Sequence, residues 1–203
     1  MTSKTNKIIS AVVAIAIIIS IVVLIYVNLP KQTETTEDDN TPAQKESPTV
    51  LTLIYNDEQQ NFTLSQLERL EPYTAKGGYR SQSGFIKGLG NYTGVNITTL
   101  VNNLQPVPYK YTLQVFSDDG ENASYNYSTI IGNVDIYNPD NASDPNPIGK
   151  GNMTMVLVYQ YEDEWLNESS DGKLKIAFLD ENGSITKSSL WWKKVISIRI
   201  ITE

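Results

Sequence analysis

The 203-residue chain contains no cysteine and no histidine. These two absences exclude whole classes of chemistry: disulfide frameworks, thiolate nucleophiles, histidine-based triads and ordinary zinc or haem sites. A metal held here would have to be a hard cation ligated by oxygen. Positive charge is also scarce, with 16 Lys and Arg against 23 Asp and Glu, a net charge of −7. Lys4 and Lys7 are the only charges before residue 31; segment 31–48 sets two lysines against five acids, and 49–203 is acidic as well. An acidic domain repels phosphate backbones, so nucleic acid is not an expected partner.

A lack of cysteine alone would fit a cytosolic protein, but the N-terminus argues otherwise. Residues 8–27, IISAVVAIAIIISIVVLIYV, carry no charge. Twenty helical residues span about 30 Å, the thickness of the hydrocarbon core. Lys4 and Lys7 precede the run and Lys31 is the next charge, which orients 1–7 toward the cytoplasm. A cleaved signal peptide is the competing reading. The run is longer than a usual signal core and no small-residue cleavage site follows it, which favours a retained signal anchor. The chain is therefore expected in the plasma membrane as a single-pass protein. Segment 28–48 is polar and acidic, too poor in apolar side chains to order itself, and reads as a disordered stalk. Residues 49–203 form the expected extracytoplasmic domain.

Within that domain, 49–56, 111–117, 152–161, 173–180 and 195–202 read as strands. In 173–180, Leu174, Ile176 and Phe178 are expected inward, with Lys173 and Lys175 outward. In 195–202, Ile196, Ile198 and Ile200 alternate against Ser197 and Arg199. Residues 61–70 read as a helix with Ser65 and Glu68 as its capping box and Leu64, Leu67 and Leu70 on one face. A second helix, 96–104, places Ile97, Leu100, Val101 and Leu104 on one face. Segment 132–151, rich in Asn, Asp and Pro, is expected to be a long surface loop. The fold class is α+β, mostly β with mixed sheets, preceded by one transmembrane helix.

Nine N-x-S/T triplets occur, at Asn61, Asn91, Asn96, Asn122, Asn126, Asn141, Asn152, Asn167 and Asn182. Eighteen asparagines and 35 Ser and Thr in 203 residues would yield about three by chance. None precedes the hydrophobic run, so the excess is confined to the exported part and points to N-glycosylation of an archaeal-type or eukaryotic surface protein. At Asn61 and Asn96 a helix N-cap role competes.

Four stretches in order carry a family resemblance. Gly94–Val95–Asn96–Ile97–Thr98–Thr99–Leu100–Val101 resembles a glycine-led G-V-x-L-x-x-L-L helix. Ser117–Asp118–Asp119–Gly120 resembles a strand end of the Ser-x-Asp-Gly type. Trp192–Lys193–Lys194–Val195–Ile196–Ser197–Ile198–Arg199–Ile200 resembles a closing W-V-K-x-I-x-x-I-x-V strand. Together with the loop 76–80, they resemble the sulfite-oxidase-type molybdopterin-binding domain of oxidoreductases over about residues 50–203. The resemblance implies that fold and a molybdopterin cofactor. In catalytic members the loop resembles C-A-G-N-R, whose cysteine ligates molybdenum; here it is Lys76–Gly77–Gly78–Tyr79–Arg80. The cysteine position holds Lys76, and an ammonium cannot act as a soft sulfur ligand. No cofactor is therefore expected; molybdopterin enters only through the resemblance.

Lys76, Tyr79 and Arg80 beside Gly77 and Gly78 could bind an anion through backbone amides and cations, or form a solvated turn. Asp118 and Asp119 before Gly120 are either calcium ligands or, more simply, a turn. Of Trp191 and Trp192, one is expected in the core and the other partly exposed, with Lys193 available to an anion. Glu162, Asp163 and Glu164 are contiguous acids with no assignable role. Three functions follow: a non-catalytic ligand-binding or interaction module with an anionic small ligand or a surface protein as partner, a molybdopterin-dependent oxidoreductase subunit, or a structural envelope glycoprotein. No catalytic residue and no metal ligand is assigned.

Overall fold

The structure, a computed structural model, describes residues 47–202 except Asp57, residues 104–106, Pro108 and residues 142–143. The expected membrane segment 8–27, the stalk as far as residue 46, and Leu104 lie outside the described residues. Among the described residues no helix is long and apolar enough to cross a membrane.

The chain runs β1 (Thr49–Tyr55), β2 (Glu58–Thr63), α1 (Leu64–Arg69), β3 (Pro72–Arg80), β4 (Ile86–Asn96) and α2 (Ile97–Asn102). It continues through β5 (Thr112–Ser117), β6 (Asn122–Tyr125), α3 (Tyr127–Ile130), β7 (Asn133–Ile136) and β8 (Gly149–Asn152). The last part is β9 (Thr154–Tyr161), β10 (Glu164–Trp165), β11 (Lys175–Asp180), β12 (Thr186–Lys187), a 3-10 turn (Ser188–Leu190) and β13 (Val195–Ile201).

One mixed sheet has the order β2-β1-β13-β5-β6, with β1 and β13 parallel. In the second sheet β3 pairs with β4, β4 with β9, β9 with β11, and β11 with β3, so these four strands close into a ring. β10 and β12 extend it at either side. The main core joins the two sheets: Leu51, Leu53, Val115 and Ile198 meet Leu157, Ile176 and Phe178. The opposite face of β9 and β11 fills the ring with Val156, Val158, Ala177 and Leu179, closed by Ala75, Tyr92 and Trp191. Both faces of β9 and β11 are therefore buried.

Local signals explain where the elements begin and end. The capping box of α1 is Thr63 with Gln66: Gln66 N donates to Thr63 Oγ1 and Thr63 N to Gln66 Oε1. It lies two residues before the expected Ser65–Glu68 pair, because Asn61 and Phe62 stay paired to β1. Asn96 caps α2 by accepting from Thr98 N and Oγ1, and Ile97, Leu100 and Val101 are buried as expected. Asn61 caps no helix.

Three expectations are corrected. Lys175 points inward, because its face of β11 lines the ring. Ile196 is exposed: a register shift between Val195 and Ser197 turns the strand, so Val195, Ile198 and Ile200 are the buried set. Segment 132–151 is not all loop, since β7 and β8 pair within it and Asp135 bridges Lys150 at 2.7 Å.

Candidate functional site

The glycines at 77 and 78 are strand glycines in β3, both buried. A Cβ at Gly77 would lie 2.5 Å from Leu179 Cδ2 and 3.3 Å from Trp191 Cη2. Glycine here lets the Trp191 indole lie directly against β3 inside the ring. That indole is held in turn by its Nε1, which donates to Thr186 Oγ1 at 2.8 Å. Trp192 is only partly buried, so the two tryptophans divide as expected.

At one end of the ring opens a cavity of about 300 Å³. Its inner wall is Tyr79, Tyr92 and Lys175; Tyr161, Trp165 and Lys193 line the rest. Lys175 is only 5% exposed. Its Nζ lies 5.1, 5.6 and 5.9 Å from the ring centroids of Trp191, Tyr92 and Tyr79, within cation–π range. It also bonds Asp171 Oδ1 at 3.1 Å, while Lys193 Nζ lies 3.0 Å from the same oxygen.

Asp171 is fixed from several sides. Its N–H donates to Asn167 O at 2.8 Å, its carbonyl accepts from Lys194 N at 2.7 Å, and Ser170 Oγ donates to Oδ2 at 2.7 Å. Burial works against ionising this carboxyl, but the Ser170 hydroxyl and the Lys193 and Lys175 ammonium groups outweigh it and hold the pKa at about 2. Burial pushes the Lys175 amine down, against the pull of Asp171, and Lys193 adds to the lowering. Burial also raises the Tyr92 hydroxyl, with the neighbouring Tyr161 contributing.

The tyrosines have structural duties. Tyr92 donates to Gly88 O at 2.7 Å and Tyr161 to Leu89 O at 2.9 Å. Gly88 sits at φ 62°, where a Cβ would come 2.8 Å from the Tyr92 oxygen. Glu162 and Asp163, at φ 50° and 62°, form the two-residue hairpin loop that presents β10. Glu162 Oε1 accepts from Asn91 N at 2.7 Å, so this acid is a clasp between strands.

Of the residues singled out in the sequence, Tyr79, Lys193, Glu164 and the sequon Asn167 line this cavity. The other candidate ligand-binding residues do not join them. Lys76 points the other way from β3, beside Gly90, Asn91, Asn182 and Gly183 in a separate cavity of about 220 Å³. The Arg80 guanidinium lies 6.0 Å from the Tyr137 ring, and its buried Nε has no hydrogen-bond partner among the described residues. Asp118 and Asp119 form the β5–β6 turn, where Asp119 Oδ1 accepts from Ser117 Oγ and Glu121 N, and Gly120 takes φ 87°. The separation follows from side-chain alternation along β3 and the register shift between Gly77 and Tyr79.

Lys175, Asp171, Tyr92 and Tyr161 are the residues that sequence reading missed. A signal for Lys175 existed. Ile176–Ala177–Phe178–Leu179 is an unbroken apolar run, the mark of a strand buried on both faces. Lys175 shares its face with Ala177 and Leu179.

Molybdopterin does not fit the residues at the resembling loop. Lys76 supplies an ammonium where a soft sulfur donor is needed, and the chain has no cysteine to replace it. Among the described residues no group of three acids is placed to hold a metal.

No protein-family profile and no curated protein matches the chain. Among solved structures, the sulfane dehydrogenase SoxCD from Paracoccus pantotrophus matches with a TM-score of 0.51 and 12% identity. The match covers 75% of this chain but 38% of that chain, so the domain spans well under half of its structural neighbour. At this identity the likeness concerns the fold alone: a mostly β domain with mixed sheets that resembles the sulfite-oxidase-type fold.

Proposed function

We propose that this chain is a membrane-anchored, N-glycosylated extracytoplasmic module that binds an anionic small ligand on a sulfite-oxidase-type scaffold without molybdenum catalysis. The observation that carries the reading is the Lys175–Asp171–Lys193 cluster at the inner end of an aromatic-lined cavity. Two ammonium groups face one carboxylate there, and Asp171 is saturated by Lys175, Lys193 and Ser170. Within the cluster one ammonium is left over with unshared N–H donors, and Glu164, the second carboxylate of the lining, balances its charge across the cavity as a whole.

Residues 8–27 supply the anchor, with the N-terminus cytoplasmic. The sequon positions are consistent with glycosylation: eight of the nine asparagines are exposed, Asn96 being half-buried. Asn61 and Asn122 lie on β2 and β6, the two edge strands of the first sheet. Glycans at those places would keep unpaired strand edges from joining other chains. Asn91 and Asn182 flank Lys76, so glycans there would cover that second cavity.

The reading is tested by thermal shift of the purified chain with small carboxylates and neutral analogues of equal size. Carboxylates are expected to raise Tm and their analogues not, with the shift lost in Lys193→Ala. Lys193 is half-exposed and Lys175 still pairs with Asp171 without it, so this variant should lose about 1 kcal/mol of stability or less. An equal shift in Lys193→Ala, or none in the parent, refutes the reading. The likeness to a dehydrogenase favours a second reading, an oxidoreductase subunit, which metal analysis separates from the first.

A further inference from the structure

We infer that the ligand of the cavity is an acidic sugar, a pyranose ring bearing a carboxylate; this rests on the anion-binding reading above. Three features of the cavity act together. The first is the pair of aromatic rings away from the cluster, Tyr161 and Trp165, 36% and 50% exposed. Trp165 sits on the two-residue strand β10, 5.9 Å from the Tyr159 ring, and belongs to neither core cluster. An exposed indole beside a cavity offers a flat apolar face to the C–H face of a sugar ring.

The second is the half-exposed ammonium of Lys193 at the inner end. Lys193 Nζ donates to Asp171 Oδ1 at 3.0 Å, and its other contact, to Ser170 O, is long at 3.5 Å. One of its donors remains for a ligand carboxylate. The third is polar capacity not taken up by the protein. The Glu164 carboxylate, on a residue paired to β9 through its backbone, lines the cavity, and neither it nor the Tyr79 hydroxyl makes a side-chain hydrogen bond among the described residues. They can accept from and donate to ring hydroxyls. An aromatic carboxylate would use the ring faces and the ammonium but leave Glu164 facing no donor; a neutral sugar would leave the cation unanswered. The volume of about 300 Å³ is at the small end of ligand sites and suits a single ring.

Calorimetric titration of the full chain with D-glucuronate, methyl glucoside and 4-hydroxybenzoate tests this. Glucuronate is expected to bind and perturb tryptophan fluorescence, with Lys193→Ala and Trp165→Ala each weakening it at least tenfold at unchanged secondary structure. Equal affinity for methyl glucoside overturns the inference, because charge is then not read. Binding of 4-hydroxybenzoate without glucuronate overturns the sugar class while leaving an anion site. Binding of no probe removes both. Asn167 lines the same cavity and is a sequon, so Asn167→Gln is titrated alongside. Glucuronate binding only in that variant overturns an external ligand and gives the cavity to the chain's own glycan.

Discussion

Asp171→Asn is expected to lower the unfolding free energy by about 3–5 kcal/mol, read as a fall in Tm and in the denaturant midpoint. The substitution keeps the shape but removes the only carboxylate bonded to Lys175 among the described residues. Lys175 would then be a buried ammonium with only aromatic faces around it and Lys193 still close by. Restoring a neutral core should recover most of the loss. Lys175→Met alone is expected to be nearly neutral, because Asp171 keeps Lys193, and the double variant should be far more stable than Asp171→Asn. If the single and double variants are equally unstable, the cluster is not the source of the loss.

The same pair sets an acid limb. Asp171 is held at about 2 in the folded protein against about 4 in an unfolded chain. Its stabilisation is complete above about pH 4 and is lost as pH falls through about 2. Lys175 works in the other direction: its amine is lowered on folding, so its charge costs stability at neutral pH and relief comes only as alkaline pH removes the proton. Unfolding curves between pH 2 and 5 should show a limb in the parent that is reduced in Asp171→Asn. An identical acid limb in both would contradict the linkage.

Gly94→Ala is expected to cost about 3 kcal/mol. A Cβ at Gly94 would collide with Leu157 O and come 2.6 Å from Val158 Cα. Those are backbone atoms of β9, and they cannot retreat without breaking the β4–β9 pairing at Gly94–Val158. Gly120→Ala is the control. Gly120 has φ 87° but open space around it, so it should pay only the left-handed strain of about 1–2 kcal/mol. Chemical denaturation of both variants compares them; a Gly94→Ala cost no greater than that of Gly120→Ala would contradict the close strand approach.

Gly94 shows why part of the fold could be read from sequence. It leads the motif that ends in α2, and both the glycine and the apolar spacing of Ile97, Leu100 and Val101 have local causes. β5 was legible too, because Leu113 and Val115 alternate against half-exposed Thr112, Gln114 and Phe116. The site was less legible. Its parts come from β3, β4, β9, β10, the 167–171 turn, β11 and the stretch before β13, and only the ring closure brings them together. Lys175 reads as a solvent-side residue when alternation is applied to one sheet face. It reads as buried only once β11 is known to be covered on both sides. The register shift at Val195–Ser197 likewise depends on the partner strand β5, which periodicity along one strand does not contain.

A scaffold that serves as a binding module without molybdenum chemistry should carry neither the metal nor its pterin. Elemental analysis and pterin fluorescence on the full-length chain, purified from its natural source, test that most directly. Molybdenum, tungsten and pterin are all expected far below one per chain. Molybdenum or tungsten near one per chain, with a pterin fluorophore in step, would contradict this and restore the oxidoreductase reading.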